Sequence, residues 1–213
     1  MRIGIIGAGN VGGTLGKGWV KKGHEVLFAA RDPKSPKIGK LLADAGDAGN
    51  AARAGTTADA VDFADVLVLA TPWDATREAL AAAGDLTGKI VLDATNPLKP
   101  NLAGLDTGEA GSGGQQVAAW APGARVVKIF NTTGANNMAD PSYGGQGITM
   151  LYCGDDKDAK ATAHQLAADL GFDPVDAGPL AQSGLLESLA LLWIWLAYPG
   201  GLGREIAFTL LRR

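Results

Sequence analysis

Val66-Leu67-Val68-Leu69-Ala70 and Ile90-Val91-Leu92 contain no polar side chain. A strand with one face in water alternates in polarity, so uninterrupted apolar runs belong to a parallel sheet covered on both faces. Strand-like runs at 2–6, 25–30, 66–70, 89–93, 125–130, 148–153 and 173–176 are interleaved with helical periodicity. The helical stretches lie near 10–22, 36–45, 57–63, 73–83, 114–120, 157–170, 180–197 and 203–211. This alternation predicts βαβ units and a doubly wound α/β fold. The 213 residues suffice for one such domain with a small appendage. The Gly104–Gly114 stretch and Gly144-Gly145-Gln146-Gly147 are the loop candidates. They suggest a cofactor-binding part over 1–140 and a smaller C-terminal part over 141–213.

Hydrophobic residues make up 46% and charged residues 19%, enough to bury a core and to exclude a disordered chain. The net charge of −3 comes without any basic stripe, which argues against nucleic acid as a partner. Cys153 is the only cysteine and fits a reducing compartment. The N-terminal apolar stretch is too short for a signal peptide. The longest apolar run, Leu185 to Tyr198, is interrupted by Glu187 and falls short of the roughly 20 residues that span a bilayer. A soluble cytoplasmic protein without membrane contact is the expectation.

Gly7-Ala8-Gly9-Asn10-Val11-Gly12 follows the first strand and opens a helix. In a G-x-G-x-x-G turn, Gly7 makes the bend and Gly9 admits a pyrophosphate to the backbone. Gly12 lets the helix pack closely, and the helix amides face the phosphates. Val11, Leu15 and Trp19 give that helix an apolar seam. After the second strand comes Arg31-Asp32-Pro33-Lys34. An arginine here accommodates a 2′-phosphate, so the turn is read as an NADP(H) site, with Lys34 and Lys37 close behind Arg31; the lysines equally suit a solvated helix face. Asp32, a ribose ligand in the alternative NAD reading, also suits a helix N-cap.

The other strand ends are Thr71-Pro72-Trp73, Asp93-Ala94-Thr95-Asn96-Pro97 and Asn131-Thr132-Thr133-Gly134. They offer hydroxyls, amides and prolines that suit a nicotinamide, and few titratable groups. Tyr143 and Tyr152 lack a lysine four residues on, so the short-chain dehydrogenase acid–base pair is absent. His24 reads as structural and His164 as solvent-facing. Two separated histidines and one cysteine provide no metal-ligand spacing. With no catalytic acid or base assigned, hydride transfer by positioning to a flavin-like ring fits better than alcohol oxidation.

These residues resemble the NADPH-dependent reductases of the deazaflavin coenzyme F420, and are similar to the cytoplasmic domain of STEAP metalloreductases. The resemblance is carried by the Gly7–Gly12 turn, Gly23-His24-Glu25-Val26, Ala30-Arg31-Asp32-Pro33-Lys34, Thr71-Pro72-Trp73, Asp93-Ala94-Thr95-Asn96-Pro97-Leu98 and Val127-Lys128-Ile129-Phe130-Asn131. Asp176-Ala177-Gly178-Pro179-Leu180 and the Leu/Trp helix that follows also match. It implies a Rossmann domain with a small C-terminal part, NADPH, a flat acceptor stacked on the nicotinamide, and a homodimer. By carry-over, the cofactor site comprises Gly7, Gly9, Asn10, Val11, Gly12, Arg31, Lys34, Thr71, Pro72, Trp73, Asn96 and Pro97.

Where archaeal F420 reductases carry a histidine-containing segment, this chain has Phe130-Asn131-Thr132-Thr133, closer to the STEAP-like pattern. The acceptor is therefore F420, FMN or FAD, or a metal chelate reduced through a flavin. No membrane domain follows Arg213, which excludes a transmembrane metalloreductase on this reading. The Leu185–Leu196 helix is read as a core helix, a dimer interface or a pocket wall. The competing functions are an NADPH sensor without turnover and a small-carbonyl dehydrogenase of the hydroxyacid or imine type.

Overall fold

The computed structural model describes residues 1–46 and 51–213. In chain order the elements are β1 (Arg2–Ile6), α1 (Asn10–Lys21), β2 (Glu25–Ala29), α2 (Pro36–Ala45), β3 (Ala52–Gly55), α3 (Thr57–Phe63), β4 (Val66–Leu69), α4 (Trp73–Ala83), β5 (Ile90–Asp93) and α5 (Gly113–Trp120). They continue as β6 (Arg125–Lys128), α6 (Ala135–Ala139), β7 (Ser142–Tyr143), β8 (Gln146–Gly147), β9 (Thr149–Gly154), α7 (Lys157–Asp169), β10 (Asp173–Asp176) and α8 (Ser183–Ala197).

Eight strands form one sheet in the order β10-β9-β6-β5-β4-β1-β2-β3. From β3 to β6 all pairings are parallel, which is the doubly wound Rossmann arrangement anticipated from the sequence. The β6–β9 seam is antiparallel, and β10 then runs parallel to β9. The sheet is thus mostly parallel, and residues 141–213 add two strands to the same sheet. Ile5, Leu15, Trp19, Phe28, Val68 and Leu92 pack on one face of the sheet. Ile6, Leu67, Leu69, Leu80, Val91 and Val117 pack on the other. Both faces are covered, as continuously apolar strands require.

Several details depart from the sequence reading. Residues 203–211 form no helix. Gly201 and Gly203 adopt positive φ, and the following segment runs as a strap. Its carbonyls are taken by side chains instead of by helical amides: Asn136 Nδ2 donates to Arg204 O, while Asn137 Nδ2 and Trp193 Nε1 donate to Ile206 O. Asp32 caps no helix. Helix α2 starts at Pro36 after Ser35, and Asp32 Oδ1 accepts from the amide of Lys34 in a local turn. The edge strand β3, the short α6 and the β7–β8 hairpin are additions. In that hairpin Gly144 and Gly145 have φ of 62° and 81°, as a two-residue type I′ turn demands.

The helical stretch Leu180–Ala197 is 18 residues long with mean hydropathy 1.4, long and apolar enough by composition to cross a membrane. In the fold Leu186, Glu187, Ala190 and Trp193 are buried, while Leu185, Leu192 and Trp195 are exposed.

Candidate functional site

Parallel pairing in register sets where the loops emerge. Ala29, Ile6, Leu69, Asp93 and Lys128 lie in line across the sheet. Beyond that line the chain leaves β2 toward Arg31, β1 toward Gly7, β4 toward Thr71, β5 toward Asn96 and β6 toward Asn131. The strand order reverses between β1 and β4, and there the carboxyl ends open into a crevice.

The backbone requires two of the three glycines of the first turn, and the third leaves open space. Gly7 has φ of 108°, and a Cβ there would lie 2.5 Å from the carbonyl oxygen of Ala70. A Cβ on Gly12 would collide with the carbonyl oxygen of Gly7 and meet Ile5 Cγ2 at 2.8 Å, so α1 sits directly on β1. A Cβ on Gly9 would meet nothing within 4 Å. Gly9 is the N-cap of α1 and supplies no side-chain cap; no acidic residue lies in the first turn. The leading amides of this 12-residue helix therefore face open space with the positive end of the helix dipole behind them. An anion of pyrophosphate size fits this cradle, and a side chain at Gly9 would fill it.

Next to the cradle lies a cleft of about 710 Å³ whose lining includes Val11, Thr71, Pro72, Trp73, Thr95 and Asn96. It brings together the ends of β4 and β5, whereas the Asn131–Gly134 end supplies none of its lining; Thr132 and Thr133 instead line a separate pocket with Ile148 and Phe208. Pro97 is buried and does not line the cleft. Asn10 is exposed on the first turn of α1. Arg31 and Lys34 lie outside the cleft, exposed past the end of β2, and neither forms an ion pair among the described residues.

Thr71 does not cap α4. Its hydroxyl is hydrogen-bonded with that of Thr76, which donates to the carbonyl of Pro72. Trp73 is half-buried, its ring 5.2 Å from that of Trp120, and both line the cleft. The inner wall is apolar, hydroxyl and amide; the charged lining residues Asp74, Arg77, Lys99 and Asp106 are exposed at the rim.

Asn131, three residues past the end of β6, is buried and does not line the cleft; it touches the wall only through Asn96. Phe130 holds φ of 61°, a strained conformation for a bulky residue. Its buried ring, packed against Trp19 and Phe172, anchors that strain. The turn brings Asn131 against Asn96, and Asn131 Oδ1 is buried with no hydrogen-bond partner among the described residues.

Behind this wall lies a cluster that sequence reasoning missed. Lys128 Nζ sits 2.9 Å from Asp93 Oδ2 and 3.0 Å from Glu187 Oε1, all three side chains fully buried. Burial alone would lower the lysine pKa, but the two carboxylates outweigh it and hold the group above its ordinary value. The available signals were a lone lysine in an apolar strand and a lone glutamate in an apolar helix.

The histidines stand apart. His24 bridges Asp169 and the N-terminal amine, and His164 is exposed beside Tyr152.

Residues 2–97 match the family model described as NADP oxidoreductase, coenzyme F420-dependent. The F420-dependent NADP reductase of Methanothermobacter thermautotrophicus is 30% identical over 206 residues, covering 91% of this chain and 88% of that one. Metalloreductase STEAP3 of Rattus norvegicus is 29% identical over 191 residues, covering 89% of this chain; the chain spans 36% of that relative's length. A crystal structure of a putative F420-dependent NADP reductase from Arthrobacter sp. FB24 superposes with a TM-score of 0.88 at 31% identity, covering all of both chains.

Proposed function

This chain belongs to the coenzyme F420-dependent NADP oxidoreductase family, and on that premise we propose that it transfers a hydride between NADPH and a flat flavin-like acceptor, F420 or FMN/FAD. The observation that carries this reading is the cleft itself. It begins at an uncapped helix N-terminus and continues along a wall of Thr71, Pro72, Thr95 and Asn96.

Gly7, Gly9, Asn10, Val11 and Gly12 seat the pyrophosphate, and Arg31 with Lys34 holds the 2′-phosphate. Thr71, Pro72, Trp73 and Asn96 flank the nicotinamide, with Pro97 adjoining Asn96 in the chain. When bound, NADPH supplies two electrons and one proton as hydride and leaves as NADP⁺; a second proton for a flavin comes from water. The residues of the inner wall orient and exclude water and do not titrate, so the rate comes from proximity and alignment.

Two partners follow from this reading. One is the small-molecule acceptor, for which the half-buried Trp73–Trp120 pair offers a flat aromatic surface in the same cleft. The other is a second copy of the chain, packed on the exposed Leu185, Leu192 and Trp195 of α8.

The test is NADPH oxidation by the purified protein against a panel of F420, FMN, FAD and a ferric chelate with and without flavin. Turnover with F420 or a flavin supports the proposal. Tight NADPH binding without oxidation by any member identifies a sensor and overturns it. Reduction of the chelate only in the presence of flavin favours the flavin-mediated ferric reductase reading, suggested by the STEAP3 similarity.

A further inference from the structure

The ions buried behind the cleft use up their bonding capacity in an orderly way. Lys128 Nζ has three acceptors: Asp93 Oδ2, Glu187 Oε1 and the carbonyl of Thr95 at 2.7 Å. Three is the full donor capacity of an ammonium. Asp93 Oδ1 accepts from the amide of Thr95 at 2.9 Å and from its hydroxyl at 2.7 Å. Amide, hydroxyl and carbonyl of one residue are thus all held by one ion pair. Glu187 takes the amides of Gly113 and Gly114, which ties α8 to the start of α5.

A buried ion cluster of this kind is a poor source of net stability, because apolar replacements of similar volume are often neutral or better. Its bonds instead select one geometry. The backbone they hold continues directly into Asn96, which lines the cleft and is held in turn against Asn131.

We propose that Lys128 is a positioning residue for the nicotinamide half of the cofactor. Together with Asp93 it keeps the Thr95–Asn96 wall in the one conformation against which the pyridine ring aligns. Through Glu187, that alignment depends on the seating of α8. The inference rests on the reading of the cleft as the nicotinamide site.

The experiment compares two ligands by calorimetry. One is NADPH; the other is 2′-phospho-ADP-ribose, which retains the adenine half and the pyrophosphate but lacks the nicotinamide. Lys128→Met is expected to weaken NADPH about tenfold or more while 2′-phospho-ADP-ribose stays within about twofold. Thr95→Val removes only the hydroxyl bond to Asp93 and is expected to shift the same ratio severalfold with little change in Tm. It decides the matter if Lys128→Met does not fold.

Equal weakening of both ligands, or an unchanged ratio in a folded variant, overturns the positioning role and leaves the reading of the cleft intact. If the wild-type protein itself binds the two ligands equally, the nicotinamide does not engage the cleft. That result refutes the reading and the positioning role with it.

Discussion

Asn96 and Asn131 hold each other by reciprocal amide bonds across the ends of β5 and β6. Asn96 Nδ2 donates to the carbonyl of Asn131 at 2.9 Å, and Asn131 Nδ2 donates to Asn96 Oδ1 at 3.1 Å. Because the carbonyl fixes which way Asn96 points, it also fixes Asn131, whose Oδ1 is left as a buried acceptor without a partner among the described residues. Asn131 does not line the cleft itself, but it holds Asn96, which does, so its loss frees that part of the wall. Asn131→Ala is expected to lower stability by about 1–3 kcal/mol in urea denaturation, since Asn96 Oδ1 then loses its donor. NADPH is expected to raise the urea midpoint of the variant less than that of the wild type. An equal rise in both excludes a role for Asn131 in cofactor binding.

On the proposed reading, Arg31 selects the phosphorylated cofactor over the unphosphorylated one. Arg31→Glu is expected to weaken NADPH by at least about 1–2 kcal/mol, the size of a lost charge-assisted bond, and to leave NADH nearly unchanged. Fluorescence titration with both cofactors checks this. Equal losses place the 2′-phosphate contact elsewhere.

The exposed face of α8 carries Leu185, Leu192 and Trp195, the last 52% exposed. On the proposed dimer reading, a second copy of the chain covers this apolar outer side. Trp195→Glu is expected to convert a dimer to a monomer in sedimentation velocity without loss of NADPH binding. A wild-type protein that already sediments as a monomer contradicts the dimer reading.

Cys153 is fully buried, and burial is the main force pushing its thiol from 9.0 up to about 12. The native protein is expected to resist thiol reagents at neutral pH and to react only once denaturant unfolds it. The sign of the pH effect follows from the raised value. The unfolded thiol ionises near its ordinary pKa while the folded one does not. This contribution is present below about pH 9 and is lost as pH rises toward 12. Cys153→Ser is expected to flatten the alkaline fall in Tm; an unchanged fall assigns it to other groups.

The central strands are legible because β4 and most of β5 are continuously apolar, and their carboxyl ends are brought together by topology alone. Once the parallel order is inferred, Gly7, Thr71 and Asn96 must converge, whatever lies between them. Less was legible where local pattern and tertiary context disagree. Ala52-Arg53-Ala54-Gly55 forms an edge strand from residues with little strand preference, stabilised by pairing with β2. Residues 203–211 read as helical, but Gly201 and Gly203 adopt positive φ and Asn137 and Trp193 capture the carbonyl of Ile206. The Lys128–Glu187 pair joins distant parts of the chain, and no periodicity announces which buried charge meets which.

The central claim is that the uncapped start of α1 seats the cofactor's pyrophosphate, and calorimetry of three proteins with NADPH tests it most directly. The wild type is expected to release heat on binding. Gly9→Ala places a methyl group where the structure is empty, so it is expected to keep the wild-type Tm and lose about tenfold or more in affinity. Gly12→Ala meets the carbonyl of Gly7 and is expected to lose about 1–3 kcal/mol of stability as well. No heat with wild type and either NADPH or NADH, or full affinity in Gly9→Ala, contradicts the account.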